Sequence, residues 1–90
     1  MGMANHYENA QTLEIAQRQG RVVQFAYPTG PTRGGRAVTA MKRTVSPYEL
    51  SNGKVLGWDH DREGLRHFTI DKIIGTVETD PDAEYVHPVT

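Results

Sequence analysis

The sequence predicts a mainly β fold: a small five-stranded β-barrel preceded by one N-terminal α-helix. Ninety residues suffice for one domain with a modest core. One segment near the N-terminus repeats its apolar residues at helical spacing. The rest alternates apolar and polar residues in short runs separated by turn residues. Strands this short would leave exposed edges, so we expect the sheet to close on itself.

The helix is predicted from about Tyr7 to Gln19, and Gly20 is a natural terminator. A first strand over residues 21–27 should end at Pro28. The eight residues 28–35 are rich in proline and glycine, which predicts a long, mobile loop. Its arginines, Arg33 and Arg36, would lie on or beside the tip.

The second strand is predicted over residues 36–45, and its irregular apolar spacing indicates a bulge near residues 40–42. Ser46-Pro47 should interrupt this strand before a short continuation over residues 48–50. Asn52-Gly53 is the strongest hairpin signal in the chain, because both residues tolerate a positive φ.

The third strand, residues 54–59, places Val55 on one face and Leu56 and Trp58 on the other. A turn at residues 61–64 leads to a fourth strand over 65–70. Asp71-Lys72 then connects it tightly to a fifth strand over 73–78. The predicted organisation is therefore a helical segment (1–20), a barrel (21–78) and an acidic, proline-containing tail (79–90).

Composition excludes several classes of function. The chain has no cysteine, which removes disulfides, thiolate catalysis and cysteine-based zinc sites. It has no run of about 18 apolar residues and no signal-peptide pattern, so we expect a cytoplasmic protein with no membrane partner.

The charge is unevenly distributed along the chain. The net charge of −1 argues against a bulk nucleic-acid binder. Residues 15–48 nevertheless carry six basic residues and no acid, and residues 73–90 carry four acids and no base. This segregation predicts either a local positive face or two halves that pair with each other in the fold.

Three segments resemble the WYL domain family. Residues 66–73 (RHFTIDKI) are similar to its R-x-F-x-x-D-R-I signature, and residues 43–50 (RTVSPYEL) to its R-x-V-x-P-x-x-L segment. Residues 20–27 (GRVVQFAY) resemble its opening strand. The resemblance covers about residues 13–77 and implies an Sm- or SH3-like barrel. It also implies a regulatory sensor that often takes an anionic ligand and usually follows a DNA-reading domain.

The chain departs from the family pattern at three places. The tripeptide that names the family falls at residues 53–55 (GKV), where only the apolar third position is kept. Thr69 replaces a basic residue of the terminal signature. Lys72 stands where arginine is commoner, and lysine lacks arginine's two-pronged donor geometry.

Arg66 is the foremost candidate for ligand binding. Strand alternation aligns it with Phe68 and Ile70, and a guanidinium suits phosphate through paired donors. The alternative is a structural ion pair with Asp59 or Asp71.

Five further residues are predicted to contribute to the same site. Arg43, Lys72 and Lys54 would form a positive rim, and Trp58 and Tyr48 a stacking platform for a base. A lone tryptophan in a small barrel is more often part of the core, which is the alternative for Trp58.

The turn Asp59-His60-Asp61 contains metal-ligand side chains, with His67 as a further candidate across the turn. Adjacent residues there point apart, and turn formation explains them better than a metal site. The chain lacks a nucleophile elbow and a phosphate-cradling glycine loop, so we expect neither an enzyme nor a cofactor.

The sequence thus predicts a non-enzymatic sensor of an anionic ligand, with single-stranded nucleic acid or a nucleotide first in line. It would act on a partner such as a separate transcription regulator. The alternative is a protein-interaction module that forms homo-oligomers and has no nucleic-acid ligand.

Overall fold

The structure is a computed structural model that describes residues 5–34 and 36–89, and it confirms the mainly β class. The elements in chain order are α1 (Asn5–Gln19), β1 (Val22–Arg33), β2 (Arg36–Ser51), β3 (Lys54–Asp59), β4 (Gly64–Thr69), a 3-10 helix (Ile70–Lys72) and β5 (Ile74–Asp80). The five described strands form one antiparallel sheet in the order β4-β3-β2-β1-β5.

The predicted closure of the barrel is wrong, because β4 and β5 are the two edges of an open sheet. The 3-10 helix separates these strands along the chain, and β5 pairs with β1. A side chain bridges part of the gap instead: the Thr69 N–H donates a hydrogen bond of 2.9 Å to the Tyr27 hydroxyl. The end of β4 is thereby tied to β1 without a backbone ladder.

The β1–β2 hairpin is longer than predicted. β1 runs through Pro28 to Arg33, and the expected eight-residue loop is reduced to a turn around Gly34 (φ 59°). The pairing of β5 with β1 reaches no further than Ala26. Pro28 lies beyond that point, where β1 pairs with β2 but not with β5. A strand tolerates a missing N–H on its unpaired side. The side chains of Arg33 and Arg36 lie outside the described residues.

β2 is one continuous strand, and its irregularity is not where the sequence predicted it. Its pairing with β1 is regular across residues 40–42, and Ser46-Pro47 does not interrupt the strand. The extra residue of β2 lies instead between Pro47 and Glu49, against β3, and the register shift of the β1–β2 ladder lies between Thr29 and Thr32 of β1. Pro47 has no N–H to donate, and a bulge is a position where a ladder accepts this.

The remaining turns agree with the prediction. Asn52 and Gly53 both have positive φ, 55° and 74°, as a type I′ hairpin turn requires. β3 has the predicted bounds, and β4 and the start of β5 differ from prediction by one residue.

The core lies on one face of the sheet, hereafter the inner face, where α1 packs. It contains Leu13, Ala16, Val23, Phe25, Val45, Val55, Phe68, Ile70, Ile73 and Val77. Phe25 and Phe68 meet edge to face, with ring centroids 5.2 Å apart. The buried Asn9 amide fixes α1 to β5, donating to the Gly75 carbonyl and accepting from the Val77 N–H, each at 2.9 Å. No helix in residues 5–34 or 36–89 has the length and apolar character needed to cross a membrane.

Candidate anion-binding site

Three neighbouring strands bring charged side chains to the inner face beside the core. Arg66 on β4 lies opposite Gly57 on β3, and Asp59 on β3 lies opposite Val45 on β2. Arg43 precedes Val45 by two residues on β2. Residues two apart on a strand share a face, so these charged side chains point to the same side of the sheet. We call Arg43, Asp59 and Arg66 the arginine–aspartate cluster.

The cluster is deeply placed but opens to solvent on one side. The side chain of Arg43 is 4% exposed, that of Asp59 0% and that of Arg66 44%. Asp59 Oδ2 lies 3.7 Å from Arg43 Nη1 and 4.0 Å from Arg66 Nε. Both distances exceed the range of a direct hydrogen bond. The carboxylate therefore attracts both guanidinium groups without being hydrogen-bonded to either.

Several buried polar atoms of the cluster are unsatisfied by the described residues. Arg43 Nε, Arg43 Nη1 and Asp59 Oδ2 have no hydrogen-bond partner among them. Buried polar atoms in folded proteins are nearly always partnered, and a buried charge is costly unless paired. Two guanidinium groups against one carboxylate also leave one unit of positive charge. Arg43 thus retains two unpartnered donors, Asp59 retains one unpartnered acceptor, and the cluster carries a net positive charge.

The second oxygen of Asp59 organises the turn between β3 and β4. Asp59 Oδ1 accepts hydrogen bonds from the Asp61 and Arg62 N–H groups at 3.0 and 3.3 Å. The Glu63 N–H donates to the Asp59 carbonyl at 2.7 Å. This is the local bonding by which aspartate stabilises turns. One carboxylate thereby connects the turn to the two arginines. Asp59 stabilises the turn, as predicted, and it is also completely buried.

Gly57 is a structural residue of the site that the sequence interpretation missed. A Cβ atom there would lie 2.6 Å from Val45 Cγ1 and 2.7 Å from the Ser46 carbonyl oxygen. Strands β2 and β3 can approach this closely only because residue 57 has no side chain. The sequence did carry a signal, namely a glycine inside an otherwise regular strand.

The predicted aromatic platform lies on the other side of the sheet. Trp58 lies opposite Leu65, whereas the preceding residue, Gly57, lies opposite Arg66. Trp58 and Arg66 therefore occupy opposite faces. Trp58 is half-buried on this outer face together with Tyr48, and it is not part of the core. The structure does not bring the arginines and the aromatic rings into one site.

The two lysines of the predicted rim also lie apart from the cluster. Lys54 shares the outer face with Trp58 and lines a shallow recess beside the Asn52-Gly53 turn, together with His67. Lys72 is exposed on the 3-10 helix. Its neighbour Asp71 pairs with His6 of α1 rather than with Arg66. Of the predicted basic residues, only Arg43 and Arg66 meet in the structure.

The segment after β5, residues 81–89, packs along β2 on the outer face, and we call it the tail. The Tyr48 hydroxyl donates to the Val86 carbonyl at 2.6 Å, and the Tyr85 hydroxyl to the Pro47 carbonyl at 2.7 Å. The Val86 N–H donates to Ser46 Oγ at 3.0 Å. Burial raises the pKa of both phenols, and Tyr48 raises that of Tyr85 further. Hydrogen bonds at three consecutive β2 residues thus hold the tail in place.

His60 lies at the junction of the turn and the tail. His60 Nε2 is 2.7 Å from Ser46 Oγ, the same oxygen that accepts from Val86. The His60 N–H donates to the Thr44 carbonyl at 2.8 Å. His60 and Asp59 therefore point to different partners, as adjacent residues at a strand end should.

The tail and the sheet together enclose a groove of about 460 Å³ on the outer face. We call it the outer groove. It is lined by Tyr48, Glu49, Leu56, Trp58, Leu65 and tail residues 86–89. Its lining is mostly apolar, in contrast to the arginine–aspartate cluster on the inner face.

The chain matches a known protein family over most of its length. The model of the WYL domain matches residues 8–78, more than three-quarters of the chain. The match spans all five described strands and α1, apart from the first three residues of α1 and the last two of β5. No curated protein matches the chain.

Proposed function

This chain belongs to the WYL domain family, whose members are generally regulatory and ligand-sensing, and we propose that it senses an anionic ligand through the arginine–aspartate cluster. The ligand class we place first is single-stranded nucleic acid or a nucleotide, bound through phosphate. The ligand would modulate a partner, such as a separate transcription regulator, and the domain itself would catalyse no reaction.

The observation that carries this proposal is the buried Arg43 guanidinium, whose Nε and Nη1 have no described hydrogen-bond partner. Phosphate oxygens are strong acceptors and match the paired donors of a guanidinium. Arg66 Nε lies near the same carboxylate oxygen as Arg43 Nη1, and its side chain is nearly half exposed. A phosphate entering at Arg66 would reach a region of positive charge with donors at its base.

The same geometry limits how much of a nucleic acid the cluster can hold. One net positive charge suits one phosphate group, or two at most. Binding should therefore be modest and weaken with salt in proportion to those few contacts. The aromatic pair of Tyr48 and Trp58 lies on the opposite face. Base stacking on those rings is therefore not part of the proposed site.

The test is fluorescence anisotropy of labelled short single-stranded DNA and RNA at low and moderate salt, with duplex DNA and inorganic phosphate as competitors. Arg66→Ala should weaken binding about three- to tenfold, since a charged donor at a half-exposed site is lost. The matched control is Arg62→Ala, because Arg62 is exposed and contacts Asp59 through its backbone N–H only. Equal affinities of the wild type and Arg66→Ala would contradict the site. A flat titration with every nucleic acid would contradict the ligand class.

A second candidate function is self-association through the open sheet edges. Edge strand β4 carries Arg66 and His67, and edge strand β5 carries Glu78 and Asp80. Exposed Leu65 and Ile74 add apolar surface at the same edges. Edges of opposite charge favour pairing between copies. Light scattering across a concentration series tests this: a purely monomeric protein would contradict it, and oligomers indifferent to nucleic acid would favour it over the sensor.

A further inference from the structure

The outer groove is a second built recess, and the anion-sensing proposal does not use it. One wall is the tail, fixed by the hydrogen bonds of Tyr48, Tyr85 and Ser46. The floor is formed by β3 side chains Leu56 and Trp58. A recess whose wall is held by several hydrogen bonds is part of the fold rather than an irregularity of its surface.

The bulge in β2 adds a charged residue to this apolar groove. In a regular strand, Tyr48 and Glu49 would point to opposite faces. The register shift between Pro47 and Glu49 breaks the alternation, and both residues line the groove. Bulges commonly redirect a side chain in this way next to binding sites.

Apolar side chains remain exposed at the groove. Leu65 is 59% exposed and Val89 98%, and Trp58 is half-buried although its ring is the largest apolar surface in the chain. A contiguous exposed apolar patch around a concave surface is typical of a binding site.

The charge of the groove selects the class of ligand. Of the described residues that line it, Glu49 is the one acid, His87 is the one residue with a basic side chain, and none is a lysine or an arginine. Among the described residues, no cation lies within the 4.0 Å of an ion pair with the Glu49 carboxylate, although Lys54 lines the neighbouring recess. The ring faces of tryptophan and tyrosine also attract cations. An unpaired carboxylate beside two aromatic side chains favours a cation and disfavours phosphate.

We propose that the outer groove binds an organic cation with an apolar body, an amine or quaternary ammonium. The ammonium group would lie near Glu49 and the rings of Tyr48 and Trp58, and the hydrocarbon part against Leu56 and Leu65. This site is separate from the arginine–aspartate cluster and takes a ligand of opposite charge. Its occupancy does not depend on whether the cluster binds nucleic acid.

Trp58 is the only tryptophan in the 90-residue chain, so its fluorescence reports on the groove directly. The probes are cyclohexylmethylammonium and cyclohexanecarboxylate. They share a cyclohexyl ring and differ in charge, and neither absorbs nor emits light at the wavelengths of tryptophan fluorescence. At about pH 8, where an ordinary histidine is neutral, the ammonium probe should change Trp58 emission in a saturable way. It should bind at least about fivefold more tightly than the carboxylate.

Glu49→Gln should weaken binding of the ammonium probe about two- to fivefold and reduce its advantage over the carboxylate. The matched control is Glu63→Gln, the same change at an exposed acid on the β3–β4 turn, which should leave both affinities unchanged. Equal binding of the two probes, or a charge preference that survives Glu49→Gln, would overturn the proposal. Absence of binding by the ammonium probe would overturn it too, including the case in which a second copy of the chain covers the groove.

Discussion

At the residue scale, Asp59 has the most consequential position in the fold. It is fully buried, lies between two guanidinium groups and holds the β3–β4 turn. Its two oxygens serve different purposes, Oδ1 for the turn and Oδ2 for the arginines. A substitution that keeps one oxygen can therefore separate the two contributions.

We expect Asp59→Asn to lower the free energy of unfolding by about 3 kcal/mol, because it leaves the buried Arg43 without its countercharge. Asp59→Ala should cost more, since the turn loses its acceptor as well. Urea denaturation measures both, and Asp61→Asn on the exposed part of the turn is the control, with an expected change within about 0.5 kcal/mol. If Asp59→Asn unfolded at the same urea concentration as the wild type, the Asp59 carboxylate would not be stabilising the buried Arg43.

Gly57 supports the site through its missing side chain. Gly57→Ala would place a Cβ within 2.7 Å of both Val45 Cγ1 and the Ser46 carbonyl, forcing β2 and β3 apart. We expect a loss of about 1–3 kcal/mol in unfolding free energy, the usual cost of overpacking. Gly64→Ala is the control, because the nearest atom to its Cβ would be 4.0 Å away. Equal stabilities of the two variants in urea would contradict the close approach.

At the scale of elements, the sequence correctly predicted the helices, strands and turns that are determined by residues close together in the chain. The helix, the Asn52-Gly53 hairpin and β3 depend on nearby residues, and the structure has them where expected. β1 and β2 were misjudged because the tolerance of a strand for Pro28 or Pro47 depends on which strands pair beside it. That pairing is decided by the sheet as a whole, and periodicity within one segment does not contain it.

The tail contact should depend on pH through its two phenols. Burial raises the pKa of Tyr48 and Tyr85 above the ordinary value of 10.0, so the folded state favours their protonated forms. The stabilisation is fully present below pH 10.0, the pKa of an unperturbed tyrosine, and is lost as the pH rises through the higher folded-state pKa values. Ionised phenols cannot donate to the Val86 and Pro47 carbonyls, and the tail should detach.

Ultraviolet difference absorbance detects this as two tyrosines, Tyr48 and Tyr85, that ionise above the ordinary tyrosine pKa of 10.0. Trp58 emission should shift to the red over the same range, since the tail wall of the outer groove is removed. In Tyr85→Phe, one late-ionising group should disappear. Ionisation of Tyr48 and Tyr85 at the ordinary tyrosine pKa would contradict the packing of the tail.

At the scale of the whole molecule, the open sheet separates two surfaces of opposite character. The inner face combines the core with the arginine–aspartate cluster, and the outer face carries an apolar groove with one carboxylate. The sequence analysis assigned Arg43 and Arg66 of the inner face and Tyr48 and Trp58 of the outer face to one site. Strand alternation alone indicates that Trp58 and Gly57 face apart, but only the pairing register shows that Arg66 lies on the Gly57 side.

The basic and acidic residues that are segregated along the chain are not joined by ion pairs among the described residues. The two stretches concerned are residues 15–48, which carry the bases, and residues 73–90, which carry the acids. A neutral side chain makes one contact between the two stretches: Gln24 Nε2 donates a hydrogen bond of 2.8 Å to Asp80 Oδ2.

Deleting residues 81–90 tests whether the two faces act independently. The truncated chain keeps α1 and the five strands, so it should fold with reduced stability and a red-shifted Trp58 emission. Its affinity for single-stranded DNA should stay within about twofold of the value for the 90-residue chain, because additivity is expected for sites without shared partners.

A parallel loss of nucleic-acid affinity would instead indicate coupling between the two faces. The contacts that could carry it run from Val86 through Ser46 and His60 to the turn held by Asp59. Ser46→Ala in the 90-residue chain would then reproduce the loss, since it removes the oxygen that His60 and Val86 share.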